Sequence, residues 1–300
     1  MKNVLIIGLG AVGTCVASRF LDSGMAISAL CDADRKARYE KDDFIINGKK
    51  YVFDYVTADS YGKKADLVIV CTKYHSLKDS IQHLNDVIDE NTVVLSILNG
   101  IDSEEIIGDV VGKEKVLYGY IYRTDATKVD NVCNFEAKEI IAFGEKSGEI
   151  TSRVNAVADL FEHAGILVEA ETDILTSMWW KYMLNIGMNQ TSCVSQATYG
   201  VYANCEHTWA LAKAAMQEAV KVANAKGIAL DKGSIDRAYA VICKLNYDGK
   251  TSMLQDVVAK RKTEVEMLAE KLCDMGEKLG IETPVNRMLL NQIKTIEFMY

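Results

Sequence analysis

Val4-Leu5-Ile6-Ile7 is an apolar run of strand length, and Gly8-Leu9-Gly10-Ala11-Val12-Gly13 follows it at once, leading into helix-compatible sequence to about Ser23. No other stretch constrains the fold as strongly. A strand, then G-x-G-x-x-G, then a helix is the arrangement that holds a dinucleotide. The first glycine permits a tight turn, the second lets the backbone approach a pyrophosphate, and the third lets the helix sit close to the sheet. The pyrophosphate then rests on the positive end of that helix. Gly8, Leu9, Gly10, Ala11, Val12 and Gly13 are therefore cofactor-binding candidates. A glycine-rich turn without a ligand is the plainer alternative, and the position directly after a strand argues against it.

The following segments extend a parallel sheet. Met25 to Cys31 reads as a second strand ending at Asp32, where an acidic side chain accepts hydrogen bonds from ribose hydroxyls and repels a 2′-phosphate. Arg35 and Arg38 lie close by and could hold such a phosphate, so the charge pattern is mixed. Phe44 to Phe53, with Asn47-Gly48 at its middle, predicts a β-hairpin. Asp66 to Thr72 and Thr92 to Leu98 predict buried parallel strands, with Lys73 and Asn99-Gly100 just beyond their ends. Ligands of open parallel sheets bind outside the carboxyl ends of strands, which makes Lys73 and Asn99 cofactor candidates. A surface lysine and a simple turn are the alternatives. His75 reads as a loop residue, since nothing near it would orient it. Val116 to Thr124, Glu139 to Gly144 and Ile166 to Glu171 predict the remaining strands.

After about Asp173 the patterns are helical. Ala210 to Lys226 is one predicted helix, Thr251 to Leu279 contains another, and Gly227 and Gly280 read as stops. The expected architecture is α/β: a Rossmann-type doubly wound parallel sheet over residues 1–170, then an all-helical domain over 171–300. Three hundred residues suit two such domains. At their junction lies Trp179 to Gln190, apolar and aromatic enough for a buried helix. Yet Lys181, Asn185 and Asn189 recur every four residues and share one face. Either this stripe lines a cleft, a favoured place for small-molecule sites between domains, or it is a solvated face with Lys181 reaching out.

Composition narrows the function classes. A net charge of −8 argues against a nucleic-acid partner. No apolar run is long enough for a membrane span and no basic segment precedes a long apolar one, so a cytoplasmic protein is expected. The eight cysteines are scattered without Cys-x-x-Cys or a histidine cluster, which fits reduced, mostly buried thiols and neither zinc nor disulfides. No metal site is expected.

With these residues in place the chain resembles the ketopantoate reductase (2-dehydropantoate 2-reductase) family over essentially its whole length. The most specific parts are Thr251-Ser252-Met253-Leu254-Gln255-Asp256, Arg261-Lys262-Thr263-Glu264-Val265-Glu266 and Gly280-Ile281-Glu282-Thr283-Pro284-Val285-Asn286. The resemblance implies NAD(P)H-dependent reduction of ketopantoate to D-pantoate, a step of pantothenate and coenzyme A biosynthesis. Lys181 would be the general acid, and Glu264 would hold Lys181 and the substrate hydroxyl. Asn185, Asn189 and Ser252 would bind the substrate, with Gly8, Gly10, Gly13, Lys73 and Asn99 on the cofactor side. NADP(H) is implied by the family, and NAD(H) is allowed by Asp32, where the family often carries an arginine. Glu266 and Ala269-Glu270 stand where the family usually has an aspartate and an Asn-Gly pair. That departure keeps open an NAD-dependent D-2-hydroxyacid dehydrogenase acting on branched or aromatic 2-oxo acids. A non-catalytic dinucleotide sensor would not need the polar residues of the second domain, a scaffold explains none of them, and β-hydroxyacid dehydrogenases do not account for Ser252 to Glu264. The expected partner is a small 2-oxo acid, with a homodimer as an option and neither nucleic acid nor membrane. One further expectation is geometric. Ser252 and Glu264 are twelve residues apart, roughly 18 Å along a continuous helix, so a break between them is required if both touch one small substrate.

Overall fold

The apolar run after Asn3 forms β1 (Val4–Ile7), every residue of it buried, in a computed structural model that describes residues 1–136 and 138–300. The chain falls into two units, Met1–Ile174 and Leu175–Tyr300. In the first, β1 is followed by α1 (Ala11–Asp22), β2 (Ser28–Leu30), α2 (Ala33–Tyr39), β3 (Phe44–Ile46), β4 (Lys49–Tyr51), β5 (Asp54–Val56), β6 (Leu67–Val70) and α3 (Leu77–Ile81). Then come β7 (Val93–Ser96), α4 (Ser103–Val111), β8 (Val116–Tyr122), β9 (Thr127–Val129), β10 (Val132–Asn134), β11 (Ile140–Gly144), α5 (Ser152–His163) and β12 (Leu167–Ala170).

Eight strands form one sheet in the order β12-β11-β8-β7-β6-β1-β2-β5. From β8 to β5 all neighbours are parallel. β11 pairs antiparallel with β8 and carries β12 parallel to itself, so the last two strands run against the other six. The chain leaves β1 on one side through β2 and returns on the other through β6, which makes the carboxyl end of β1 the switch point of a Rossmann-type sheet. The core follows from the two-residue period of the strands. Val4, Ile6, Leu67, Ile69 and Leu95 enter one apolar cluster, while Leu5, Ile7, Val68, Val70 and Val94 enter another on the opposite face. Strands buried on both faces read as continuous apolar runs, which is why β1, β6 and β7 are plain in the sequence.

The hairpin predicted around Asn47-Gly48 is formed. Both residues have positive φ, 47° and 78°, as a two-residue turn of this kind requires, and β3 pairs antiparallel with β4. A second hairpin, β9–β10, is absent from the sequence reading and completes a small sheet of order β4-β3-β10-β9. Its only signal is Asp130-Asn131 between two valines, with Asp130 at φ 49°. The eight cysteines are free, and Cys15, Cys133, Cys193 and Cys273 are buried.

One buried acid marks the start of α4. Ser96 Oγ and Ser103 Oγ share a hydrogen bond of 2.8 Å, Ser103 Oγ donates to Glu104 Oε2 at 3.0 Å, and Glu104 Oε1 has no partner among the described residues. Burial pushes the Glu104 carboxyl up from 4.5 to about 8. A carboxyl that binds its proton more tightly when folded stabilises fully below its unfolded pKa, and that contribution is lost as pH rises through about 8. Glu104→Gln should therefore raise the urea midpoint at pH 8.5, by an equivalent of about 1–3 kcal/mol, and change it little at pH 4.5. Equal effects at both pH values would contradict the assignment.

The second unit is helical. It holds α6 (Ile174–Ser195) from its second residue on, α7 (Tyr199–Asn204), α8 (Glu206–Ala225), α9 (Gly233–Ile242), α10 (Ser252–Val258), a π-helical turn at Glu266–Glu270 that runs into α11 (Lys271–Leu279), and α12 (Pro284–Phe298). A Cβ on Gly187 would stand 2.9 Å from the Ala212 carbonyl oxygen, so α6 and α8 cross closely because residue 187 is glycine. The segment Gly280 to Asn286 has a structural role. Gly280 ends α11 in the left-handed region, and Pro284 opens α12. Glu218 of α8 caps that opening by accepting from the Val285 and Asn286 amides at 2.9 and 3.0 Å. The Asn286 side chain, fully buried, donates to Glu218 Oε2 at 2.7 Å and accepts from Gln190 Nε2 at 2.8 Å. Three helices are thereby locked through one amide. Among the described residues no helix is long and apolar enough to cross a membrane.

Candidate active site

In the first unit the candidates collect along one edge of the sheet. Because β7, β6, β1 and β2 are adjacent and parallel, the segments after them emerge on the same side. These carry Asn99, Lys73, Gly8 to Gly13 and Asp32. Gly8 has φ 96°, and a Cβ there would lie 2.9 Å from the backbone of Cys71 and Thr72. A Cβ on Gly13 would lie 1.9 Å from the Gly8 carbonyl oxygen. Gly10 behaves differently, since nothing stands within 4 Å of its missing side chain. It occupies the N-cap of α1 with no side-chain cap bond and no acidic residue in the first turn. Leu9 is buried, and Ala11 and Val12 are half-buried beside it. An uncapped helix start with open space above a glycine fits a pyrophosphate. The Thr72 hydroxyl, buried with no partner among the described residues, adds a group that a bound ligand would satisfy. Thr72 is not among the residues the sequence singles out, although its place as the last residue of a predicted strand, next to Lys73, is a usable signal.

Asp32 sits at the N-cap of α2, accepting from the Arg35 amide at 2.6 Å. Its other oxygen lies 3.4 Å from Arg35 Nε. Both side chains reach solvent, Asp32 at 61%. Lys73 is exposed and Asn99 half-buried, with Gly100 following at φ 104°. His75 is exposed in a short 3-10 turn.

In the second unit Lys181, Asn185 and Asn189 lie in one unbroken helix, so their spacing does place them on one stripe. Asn189 is 6% exposed, and Lys181 and Asn185 are half-buried. The stripe is therefore not a fully solvated face. Desolvation pulls the Lys181 ammonium down to about 8, and the Glu264 carboxylate opposes that by raising it. Glu264, 7% exposed, is thus within electrostatic reach of Lys181.

The expected break between Ser252 and Glu264 is present. Thr251 caps α10, accepting from the Leu254 amide at 3.2 Å, and its hydroxyl shares a 2.6 Å hydrogen bond with Ser192 of α6. Ser252 follows as the first, exposed residue of α10. That helix ends at Val258, Lys260 turns the chain with φ 51°, and the Arg261 amide closes the end on the Asp256 carbonyl at 2.8 Å. Thr263 then restarts the chain: its amide and hydroxyl both donate to Glu297 Oε1 at 2.7 Å, and its hydroxyl accepts from the Val265 amide at 3.3 Å. Glu264 is held between this anchor and the π-helical turn. Thr263 and Tyr182, whose contacts fix the Glu264 segment, are absent from the sequence-derived candidates.

The model of the family described as ketopantoate reductase PanE/ApbA matches residues 4–148, and its C-terminal counterpart matches residues 173–297. The chain belongs to the ketopantoate reductase family. A relative from Archaeoglobus fulgidus, 2-dehydropantoate 2-reductase, is 27% identical over 298 residues, covering 99% of this chain and 98% of that protein. Among solved structures, a D-mandelate dehydrogenase with NADH and anilino(oxo)acetate superposes with a TM-score of 0.90 at 21% identity, covering 99% of each chain. A dimeric ketopantoate reductase from Staphylococcus aureus gives 0.84 at 19% identity, again over 99% of both. At these identities the two structures bear on the fold alone.

Proposed function

We propose that this member of the ketopantoate reductase family reduces ketopantoate to D-pantoate with a nicotinamide dinucleotide. The observation that carries the reading is Lys181, a desolvated lysine within electrostatic reach of the buried Glu264 carboxylate, on a stripe with two asparagines. The names of full-length relatives support the substrate. When bound, the reduced nicotinamide supplies a hydride to the carbonyl carbon of the 2-oxo acid. Negative charge then builds on the carbonyl oxygen, and Lys181 gives that oxygen its proton. Asn185, Asn189 and Ser252 supply hydrogen-bonding groups for the substrate carboxylate and hydroxyl, and Glu264 retains the lysine's charge. Gly8 to Gly13 and Thr72 receive the dinucleotide, with Lys73 and Asn99 along the same edge. The working form we propose is a cytoplasmic homodimer, in line with the dimeric Staphylococcus aureus protein.

A second reading, an NAD-dependent D-2-hydroxyacid dehydrogenase for branched or aromatic 2-oxo acids, draws on Asp32. Its carboxylate already engages Arg35, which leaves that arginine less charge to offer a 2′-phosphate. The family resemblance implies NADPH, and Asp32 implies that NADH is accepted as well. Following nicotinamide absorbance with purified protein, both cofactors, ketopantoate and a set of branched and aromatic 2-oxo acids tests both readings. We expect kcat/KM with NADH to lie within about tenfold of that with NADPH, a gap of about 1.4 kcal/mol. Asp32→Asn should move the ratio toward NADPH. An unchanged ratio would remove Asp32 from cofactor choice, and no oxidation with any 2-oxo acid would overturn the proposed function.

A further inference from the structure

Tyr182 is the residue next to Lys181 on α6. Its ring is fully buried and meets Trp179 edge-to-face, with centroids 5.6 Å apart. Its hydroxyl lies 2.7 Å from the Leu268 carbonyl oxygen and 3.3 Å from that of Met267. Both carbonyls belong to the π-helical turn Glu266–Glu270. A π-turn carries one residue more than the α-helix allows, so such turns are rare and mark places where the chain is held in an unusual register. The Tyr182 hydroxyl reaches this turn from α6, adding a side-chain donor at a Leu268 carbonyl that also accepts from the Lys271 amide.

The position of that turn gives the contact its meaning. Glu264 lies two residues before it, and the Leu268 amide itself donates to the Glu264 carbonyl at 3.1 Å. Other anchors of this segment run to α12. Thr263 is fixed by Glu297 on α12. Glu266 is held by Lys262 at 3.1 Å and by Lys294 of α12 at 2.5 Å. The Tyr182 hydrogen bond instead ties the segment to α6, the helix that carries Lys181.

We propose that Tyr182 is a positioning residue: by holding the π-turn against α6 it keeps the Glu264 carboxylate in register with the Lys181 ammonium. The inference rests on the roles proposed above for Lys181 and Glu264. Without the hydroxyl the turn loses this hydrogen bond to α6, the Glu264 segment loosens from that helix, and the carboxylate drifts away from the lysine. The Lys181 ammonium then loses the interaction that opposes its desolvation, so its titration midpoint falls.

The test is Tyr182→Phe in the full-length protein, which keeps the ring and removes the hydroxyl. Lys181 is titrated by NMR of lysine labelled with carbon-13 at Cε, assigned by its loss in Lys181→Ala. The midpoint should drop by at least about 0.5 pH unit, with kcat falling about 5- to 20-fold and KM for the dinucleotide unchanged. In a Glu264→Gln background the same substitution should move the midpoint no further, because the carboxylate through which it acts is gone. Tyr202→Phe serves as the control. It deletes an equally buried hydroxyl that donates to the Met188 carbonyl of α6 at 2.7 Å and should leave the Lys181 titration unchanged. An unmoved midpoint in Tyr182→Phe, an equal shift in Tyr202→Phe, or an undiminished shift in the Glu264→Gln background would each overturn the proposal. The titration needs no turnover, so it can succeed even if every 2-oxo acid fails as substrate, which would count against the reaction and not against the positioning.

Discussion

Lys181→Ala is expected to lower kcat by about 10²–10⁴-fold, the usual contribution of a general acid, with KM for the dinucleotide nearly unchanged. The protonated lysine is the competent form, so the sign of the pH dependence follows directly. Its pKa is depressed to about 8, and the rate of reduction should be level below that value and fall as pH rises through it. An ordinary lysine would hold its proton two or more units further, so the position of the alkaline limb reads out desolvation. Steady-state kinetics between pH 6 and 10 check both parts. Retention of more than about a third of wild-type kcat, or an alkaline limb that persists unchanged in the variant, would take Lys181 out of the mechanism.

Glu264 is expected to decide substrate choice. Ketopantoate carries a 4-hydroxyl that a simple branched 2-oxo acid lacks. A buried carboxylate placed to accept that hydrogen bond is left short of a partner by the simpler acid, at a cost of roughly 1–3 kcal/mol. Wild-type protein should therefore prefer ketopantoate over 2-oxoisovalerate by at least about tenfold in kcat/KM, and Glu264→Gln should lose much of that preference. If Glu264 acts only on Lys181, the substitution slows both substrates alike and their ratio stays put. A wild-type ratio near one favours the D-2-hydroxyacid dehydrogenase reading.

Much of the first unit is readable from sequence because its signals are local. The glycine motif, the apolar runs of β1, β6 and β7, and the Asn47-Gly48 turn each declare themselves within a few residues, and strand ends place Lys73 and Asn99. The antiparallel β11 and β12 do not, since strand direction depends on connections and not on composition. The Lys181 stripe is legible as a stripe because of its four-residue period. Whether it is wet or desolvated is set by tertiary packing and not by its own period, and the carboxylate that opposes the effect of desolvation on Lys181, Glu264, lies far along the chain. Within Gly280 to Asn286 only the Gly280 helix stop is legible locally, and the rest stands out in sequence as part of a resemblance. Its work depends on Glu218 and Gln190, 68 and 96 positions away. The π-turn has no sequence signature at all, as one inserted residue leaves the surrounding apolar pattern nearly intact.

Asp32 brings together two jobs that mutation can separate. In the proposed function its carboxylate meets the cofactor's ribose, and in the structure it starts α2, a helix of only seven residues. Loss of an N-cap side chain costs about 1 kcal/mol, a large fraction of what so short a helix contributes. A lineage drifting between the two nicotinamide cofactors therefore has unequal paths open to it. Alanine or a bulky apolar residue at position 32 removes the repulsive charge but frays the helix that carries Arg35 and Arg38, and selection would see both effects at once. Asparagine or serine removes the charge and keeps the cap. Natural or laboratory switches of cofactor use in this scaffold should accordingly pass through small polar residues at this position, with arginine gained later and elsewhere on the loop.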